Sequence, residues 1–238
     1  MTLRYPGITE AALRYSRYAG SVAQEAGGAP KRARAERSDS VRNRERLLAA
    51  ARDLFATDGL HAPLDRIATA AGVGPGTLYR HFPTRLALWE AVLEEPLRVQ
   101  LDLVERALAN PDRWSGVAQY ILETSAHEAE RGGYLNLMTT RFDGAPRLLA
   151  IRGSIQRRIV ELFSRARREG AIRPDFSVED LIFINLSNSR VAEVTREVAP
   201  DAWRRNVELF LDSLRPERAH PLNQPPMTPG EVARVAMR

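Results

Sequence analysis

The chain has 238 residues, a formal net charge of +5, a pI near 10.0 and no cysteine. That length can bury one large core or two modest ones, and the missing cysteines exclude disulfides, thiolate metal sites and a cysteine nucleophile. No apolar run is long enough to span a bilayer and no signal peptide is expected, so the sequence reads as cytoplasmic and without a membrane partner.

The mild positive charge permits a nucleic-acid partner without requiring one. Its distribution is more pointed. Lys31 is the only lysine, and from Lys31 to Arg46 seven basic side chains face only Glu36, Asp39 and Glu45. From Arg66 to Trp89 there are three arginines, Arg66, Arg80 and Arg85, and no acid. Two neighbouring segments are therefore locally basic, as a phosphate-binding face requires.

Residues 1–39 read as a flexible, basic extension. They mix Gly, Ala, Ser and Arg, leave room for a short helix between Glu10 and Tyr18, and break at Gly27-Gly28-Ala29-Pro30. The basic part, Lys31 to Arg44, is either a solvated tail or an arm that tracks phosphates. The first helix is predicted from Ser40 to Thr57, with Leu47, Leu48, Ala51, Leu54 and Phe55 as its buried stripe. Asp58-Gly59 ends it. A second helix starts at Pro63 and runs through Ile67 and Ala68 to Gly72. The turn Gly72-Val73-Gly74 leads into a third, Pro75 to His81. Pro83 opens a fourth, predicted to stop near Glu95, before Pro96.

Beyond Pro96 the periodicity predicts helices over 97–109, 114–131, 146–169, 177–198 and 201–214, with an irregular stretch over 132–144. Ser177 and Asp180 form a capping-box signal. From Pro216 the chain is proline-rich, and residues 216–238 are expected to be a disordered tail. Strand-like alternation is scarce. The fold class is all-α.

Two short helices joined by a glycine-containing turn form a helix-turn-helix, whose second helix can enter the major groove. Ile67, Ala68, Ala71, Val73 and Leu78 can fix the pair at a steep angle. Thr77, Tyr79, Arg80 and His81 are then the outward groups. Arginine can pair bidentately with guanine, and threonine offers a methyl to thymine or a hydroxyl to phosphate. Tyr79 and His81 suit phosphate contacts that set register. Tyr79 and Phe82 can also serve as core aromatics, the preferred role for Phe82.

The ordered elements Leu48-Ala49-Ala50-Ala51-Arg52-Asp53-Leu54-Phe55, Asp58-Gly59, Pro63 to Ala68, and Ala71 to Arg85 resemble the DNA-binding domain of the TetR family. The resemblance covers roughly residues 41–95. It implies a three-helix DNA-binding domain over 40–95, joined by the fourth helix to a helical ligand-binding and dimerisation bundle over 96–215. It also implies that Tyr79 and His81 touch phosphates, that Arg80 and Thr77 lie at the groove, and that Arg85 clamps the DNA backbone. Arg42, Gly74 and Gly76 complete the candidate DNA contacts. Many members carry serine where this chain has Gly74, and many carry lysine where it has Arg85.

Past Pro96 the resemblance weakens to a turn, Gly170-Ala171-Ile172-Arg173-Pro174-Asp175, followed by two helices that in such proteins pair with a second copy. Leu181, Ile184, Leu186, Val191 and Val194, with Trp203, Val207, Phe210, Leu211 and Leu214, are apolar enough for a dimer seam or for the chain's own core. Candidate pocket residues are Trp114, Tyr120, His127, Tyr134, Met138, Phe142, Asn185 and Asn188. The two asparagines interrupt an apolar helix, where amides need partners from a ligand or a second subunit.

The expected function is a ligand-responsive repressor. It binds a palindromic operator in double-stranded DNA as a homodimer and is released by a small effector. The expected cofactor and metal content is none. A helix-turn-helix protein without a ligand is the alternative. An enzyme is disfavoured, because no phosphate loop, metal cluster or nucleophile elbow appears.

Overall fold

The computed structural model describes residues 31–59, 61–131 and 144–236. Among them the chain is all-α, with no strand. Its helices are α1 (Lys31–Asp58), α2 (Leu64–Ala70), α3 (Pro75–His81), α4 (Arg85–Ala109), α5 (Arg113–Arg131), α6 (Pro146–Arg168), α7 (Leu181–Thr195), α8 (Ala202–Ser213) and α9 (Pro229–Ala236). Two short 3₁₀ turns, η1 (Val178–Asp180) and η2 (Pro216–Arg218), flank α7 and α8. The chain divides into two compact units, residues 1–42 and 43–238.

The second unit holds two hydrophobic cores. The smaller is built from Leu47, Leu48, Ala51 and Phe55 of α1, Ile67 and Ala68 of α2, Leu78 of α3, Phe82, and Leu88, Trp89 and Val92 of α4. The spacing of those α1 residues puts them on one face, as the sequence predicts. The larger core takes Leu97, Val104 and Ala107 from α4, with inward faces of α5, α6, α7 and α8.

Three elements differ from the sequence expectation. Helix α1 begins at Lys31 rather than Ser40. Helix α4 is continuous for 25 residues, about 37 Å, and carries Pro96 inside it. Proline has no N–H for the carbonyl of Val92, a loss of roughly 3 kcal/mol in a helix interior. Buried Val92 and Leu97 hold the helix from either side in separate cores, and that packing outweighs the missing bond. The predicted domain boundary near residue 95 thus falls within one helix.

The third difference is the tail, expected to be disordered. The Arg173 side chain, nearly buried, gathers several groups around it. It grips Asp175 through Nε–Oδ1 at 2.6 Å and Nη2–Oδ2 at 3.1 Å, and Nη2 donates to the His220 carbonyl at 2.7 Å. The Leu222 N–H donates to the same Asp175 carboxylate at 3.1 Å. The bidentate bond to Arg173 holds the Asp175 carboxyl down to about 2. This node ties the turn before α7 to the chain beyond α8. Farther on, Thr228 and Glu231 cap α9, with Glu231 Oε2 accepting from both the Thr228 N–H and hydroxyl at 2.8 Å.

The end of α6 explains why that turn follows it. Gly170 has φ +70, the Ala171 N–H donates to the Ala166 carbonyl at 2.8 Å and the Gly170 N–H to Arg167 at 3.1 Å. This is a Schellman stop, which needs a left-handed residue. After it, Ser177 and Asp180 make the predicted capping box, the Ser177 N–H donating to Asp180 Oδ2 at 2.9 Å.

Candidate nucleic-acid interface and the bundle interior

Helices α2 and α3 form the helix-turn-helix. Gly72, at φ +66, closes α2: its N–H donates to the Thr69 carbonyl at 3.0 Å and the Val73 N–H to Ala68 at 3.0 Å. The turn is therefore held by the backbone of α2 itself. Buried Ile67, Ala68, Ala71, Leu78 and Phe82 then fix the crossing of the two helices. Gly74 is the N-cap of α3 and Pro75 its first residue. Glycine offers no side-chain oxygen to the first amides, so α3 starts on backbone bonds alone: the Thr77 N–H reaches the Gly74 carbonyl at 2.9 Å.

The outer side of α3 carries Tyr79 and Arg80, both exposed. Arg80 makes no ion pair among the described residues, so its guanidinium and its five donors face solvent. A Cβ built on Gly74 or Gly76 meets no atom within 4 Å. The N-terminal edge of α3 is therefore bare backbone with open space in front of it. Thr77 is half-buried beside this edge.

His81 sits deeper than an outward-facing group. It is half-buried, and its Nε2 is buried without a hydrogen-bond partner. Burial first, then the positive charges of Arg80 and Arg44, push its pKa below the ordinary 6.5. Both effects favour its neutral form. Its ring lies beside Phe82, over whose face the Arg44 guanidinium stacks at 5.4 Å.

Arg85 stands at the start of α4, where Thr84 caps the helix by accepting from the Ala87 N–H at 3.0 Å. The Arg85 side chain donates to the Ala62 carbonyl at 2.7 Å. It binds α4 to the loop before α2 and holds charge near the reading edge. His61 packs edge-on against Trp89 of α4 at 5.8 Å and reinforces the same joint. Arg42, in the N-terminal unit, pairs with Asp39.

The predicted pocket residues scatter. Trp114 is covered by the Arg215 guanidinium, 3.6 Å from the ring centre. Tyr120 is buried edge-on against Phe163 at 6.1 Å. His127 is half-buried on α5. Met138, Phe142 and Tyr134 lie outside the described residues. Tyr120 and Asn185 do come together: with Ile121, Thr124, Ser125, Leu181 and Ile184 they line a recess of about 10 Å³ between α5 and α7.

Asn188 lies elsewhere, fully buried. Its amide donates to the Ser125 carbonyl at 3.3 Å and accepts from Asn206 of α8 at 3.4 Å. Its partners come from its own chain, and it ties α7 to α5 and α8. Sequence reasoning missed four other buried polar residues, Gln100, Thr124, Ser125 and Glu128. The signal was available: Leu97, Gln100, Val104 and Ala107 share one helical stripe, as do Val117, Tyr120, Ile121 and Thr124.

The apolar residues of α7 and α8 divide between two faces. Ile184, Trp203, Val207 and Leu211, with Leu214 just past α8, enter the core, while Phe183, Leu186, Val194 and Leu209, with Val198 just past α7, are exposed. Among the described residues no group of three His, Asp or Glu could hold a metal, and no helix is long and apolar enough to cross a membrane.

Comparison with known proteins gives a consistent assignment. The family model for bacterial regulatory proteins of the tetR family matches residues 47–92. That for the C-terminal domain of SbtR-like transcriptional regulators matches residues 116–216. The HTH-type transcriptional regulator UidR of Escherichia coli (strain K12) is 28% identical over 169 residues, covering 65% of this chain and 82% of its own. A TetR transcription regulatory protein from Mycobacterium vanbaalenii is 30% identical, covering 75% of this chain and 98% of its own, with a TM-score of 0.45. The TetR-family regulator PfmR from Thermus thermophilus shares the fold at 18% identity, with a TM-score of 0.50 over 70% of this chain and 97% of its own. The matched segments bracket the helix-turn-helix and the bundle in the family's order, and the chain belongs to the TetR family of DNA-binding transcriptional regulators.

Proposed function

We propose that this regulator is a ligand-responsive repressor that binds a palindromic operator as a two-fold homodimer and is released by a small molecule. The observation that carries the DNA-reading part is the edge of α3. Tyr79 and Arg80 are exposed there and Gly74 and Gly76 leave the space in front of the helix open. Arg80 reads a base edge, Thr77 lies at the groove wall, and Tyr79 binds phosphate. His81 makes its phosphate contact only by turning out of its half-buried site. Arg85 adds charge at the flank, and Arg42 adds it from the N-terminal unit.

The exposed apolar face of α7 and α8 supports pairing of two copies. A two-fold pair presents two α3 helices to successive major grooves, which calls for a palindrome. The continuous α4 supports effector control, because one helix belongs to both cores. An effector acts through its different affinity for the DNA-competent and released states. The protein works in the cytoplasm, where its DNA is.

The test is fluorescence anisotropy on duplexes from upstream of the gene itself, against scrambled duplex, across a salt series. Saturable binding of one dimer per palindrome, with sequence preference kept as salt rises, is expected. Weak binding equal on every sequence would overturn it.

A further inference from the structure

The interior of the bundle holds polar atoms that have no hydrogen-bond partner among the described residues. Gln100 of α4 is 1% exposed, and both its amide nitrogen and its oxygen lack a partner. Thr124 of α5 is 4% exposed, and its hydroxyl lacks one too. Native interiors pair such groups almost without exception, so three orphaned atoms in one core require an explanation.

The three atoms share a neighbourhood. Helices α4 and α5 run antiparallel and meet closely at Ala107 and Gly116, where a Cβ on the glycine would stand 2.5 Å from the Ala107 carbonyl oxygen. One heptad back along α4 from Ala107 is Gln100. One heptad forward along α5 from Gly116 is Glu123, next to Thr124. The ion pair from Arg106 to Glu123 at 2.8 Å fits this register. Gln100 and Thr124 therefore stand at about the same height on neighbouring helices, Thr124 turned about 100° from Glu123 toward α7, and neither bonds to the other. Thr124 also lines the recess between α5 and α7.

Among the described residues that lining carries no fixed charge: Tyr120, Ser125 and Asn185 are polar and neutral, and Ile121, Leu181 and Ile184 are apolar. An ionised ligand would meet no opposite charge among these lining residues, which disfavours it there. A carboxamide offers both a donor and an acceptor, and so does a hydroxyl. Together they match one ligand group that both accepts and donates.

We infer that Gln100 and Thr124 are the polar anchor of the effector, and that the effector is a neutral molecule with an amide-like head on an apolar body. The inference rests on the effector-responsive reading above. At about 10 Å³ the recess holds one water at most, so a larger ligand requires the helices around it to move. The effector seats its head between α4 and α5 and parts α5 from α7, where Ile121, Leu181 and Ile184 receive its body.

Hexanamide, hexanoate and hexylammonium share one body and differ in the head, which makes them suitable probes on the full chain. Hexanamide is expected to raise Tm by about 2–4 °C at five times its Kd, with no shift from the two ions. Gln100→Met is expected to raise Tm of the ligand-free protein, by removing an unsatisfied amide, and to abolish the hexanamide shift. Thr124→Val should abolish that shift as well and serves if Gln100→Met folds poorly. A lowered Tm in folded Gln100→Met, a hexanamide shift that survives both variants, a larger shift with hexanoate, or no shift with hexanamide would each overturn the inference; the last leaves a buried water only. Hexanamide that raises Tm through these residues without weakening operator binding would keep the site and retire the effector reading. Release of the operator by another compound acting equally on wild type and both variants would do the reverse.

Discussion

Two glycines inside helices show how differently the two cores are built. Gly116 of α5 lies in the bundle, where a Cβ would strike the backbone of α4. Gly76 of α3 lies on the reading edge, where a Cβ would meet nothing. One is small because the chain itself fills the space. The other is small although the chain leaves the space empty, and the proposed occupant is DNA. The bundle places its function in what is buried and unpaired. The reader places it in what is exposed and unpaired.

Substitutions that exchange these circumstances sharpen the contrast. The largest effect is expected from Gly116→Ala. Its methyl meets a carbonyl oxygen rather than a side chain that could swing away, so the loss should reach about 3 kcal/mol, near the top of the usual overpacking range. Chemical denaturation measures it, and a loss under about 0.5 kcal/mol would show that α4 and α5 can simply separate. Arg80→Ala should leave stability alone and cost about 1–3 kcal/mol of operator affinity, with preference relaxed at one base. A loss equal on all sequences would make Arg80 a phosphate contact instead. Gly76→Ala should stabilise the fold by a few tenths to about 1 kcal/mol through helix propensity, yet weaken operator binding. Tm and anisotropy on one sample test both halves, and unchanged binding would mean that nothing approaches that edge.

The smallest effects concern pH. The folded pKa of His81 lies below 6.5, so the folded state binds fewer protons than the unfolded one in that window. Its contribution is full above pH 6.5 and falls as pH drops toward the folded value. His81→Gln should flatten that slope in denaturation midpoints. Asp175 behaves as a carboxylate does: held at about 2 against an ordinary 3.8, it stabilises above pH 3.8, and the benefit disappears as pH falls through 2. Asp175→Asn should remove the acid-side slope and leave the one near neutrality.

The reader was largely legible in the sequence because its determinants are local. Gly72 stops α2 with its own backbone bonds, Pro75 opens α3, and the apolar spacing from Ile67 to Leu78 names the core. What local signals could not settle was decided by tertiary packing. Pro96 reads as a break, yet two cores grip the helix on either side of it. A proline-rich tail reads as structureless, yet Arg173 and Asp175 reach across to hold its backbone. Asn188 reads as needing a partner from a ligand or a second subunit, and finds Ser125 and Asn206 of its own chain. Gln100 was passed over because an amide in a helix is ordinarily a surface residue. Only the burial of its whole stripe makes it conspicuous.

Pro96 has a mechanical meaning beyond its tolerance. The missing rung in α4 lies between Val92, the last buried α4 residue of the smaller core, and Leu97, the first buried one of the larger, while Leu86 and Leu93 pack against both. A shaft with a missing rung at that point is expected to bend there more readily than elsewhere along its length. From Pro96 to Arg85 is about 16 Å of helix. A bend of about 10° would carry the far end sideways by about 3 Å, close to one base-pair step of DNA. A regulator hung on such a shaft does not need to melt or repack its reading head to lose its place. It needs only to miss by one rung of the DNA ladder.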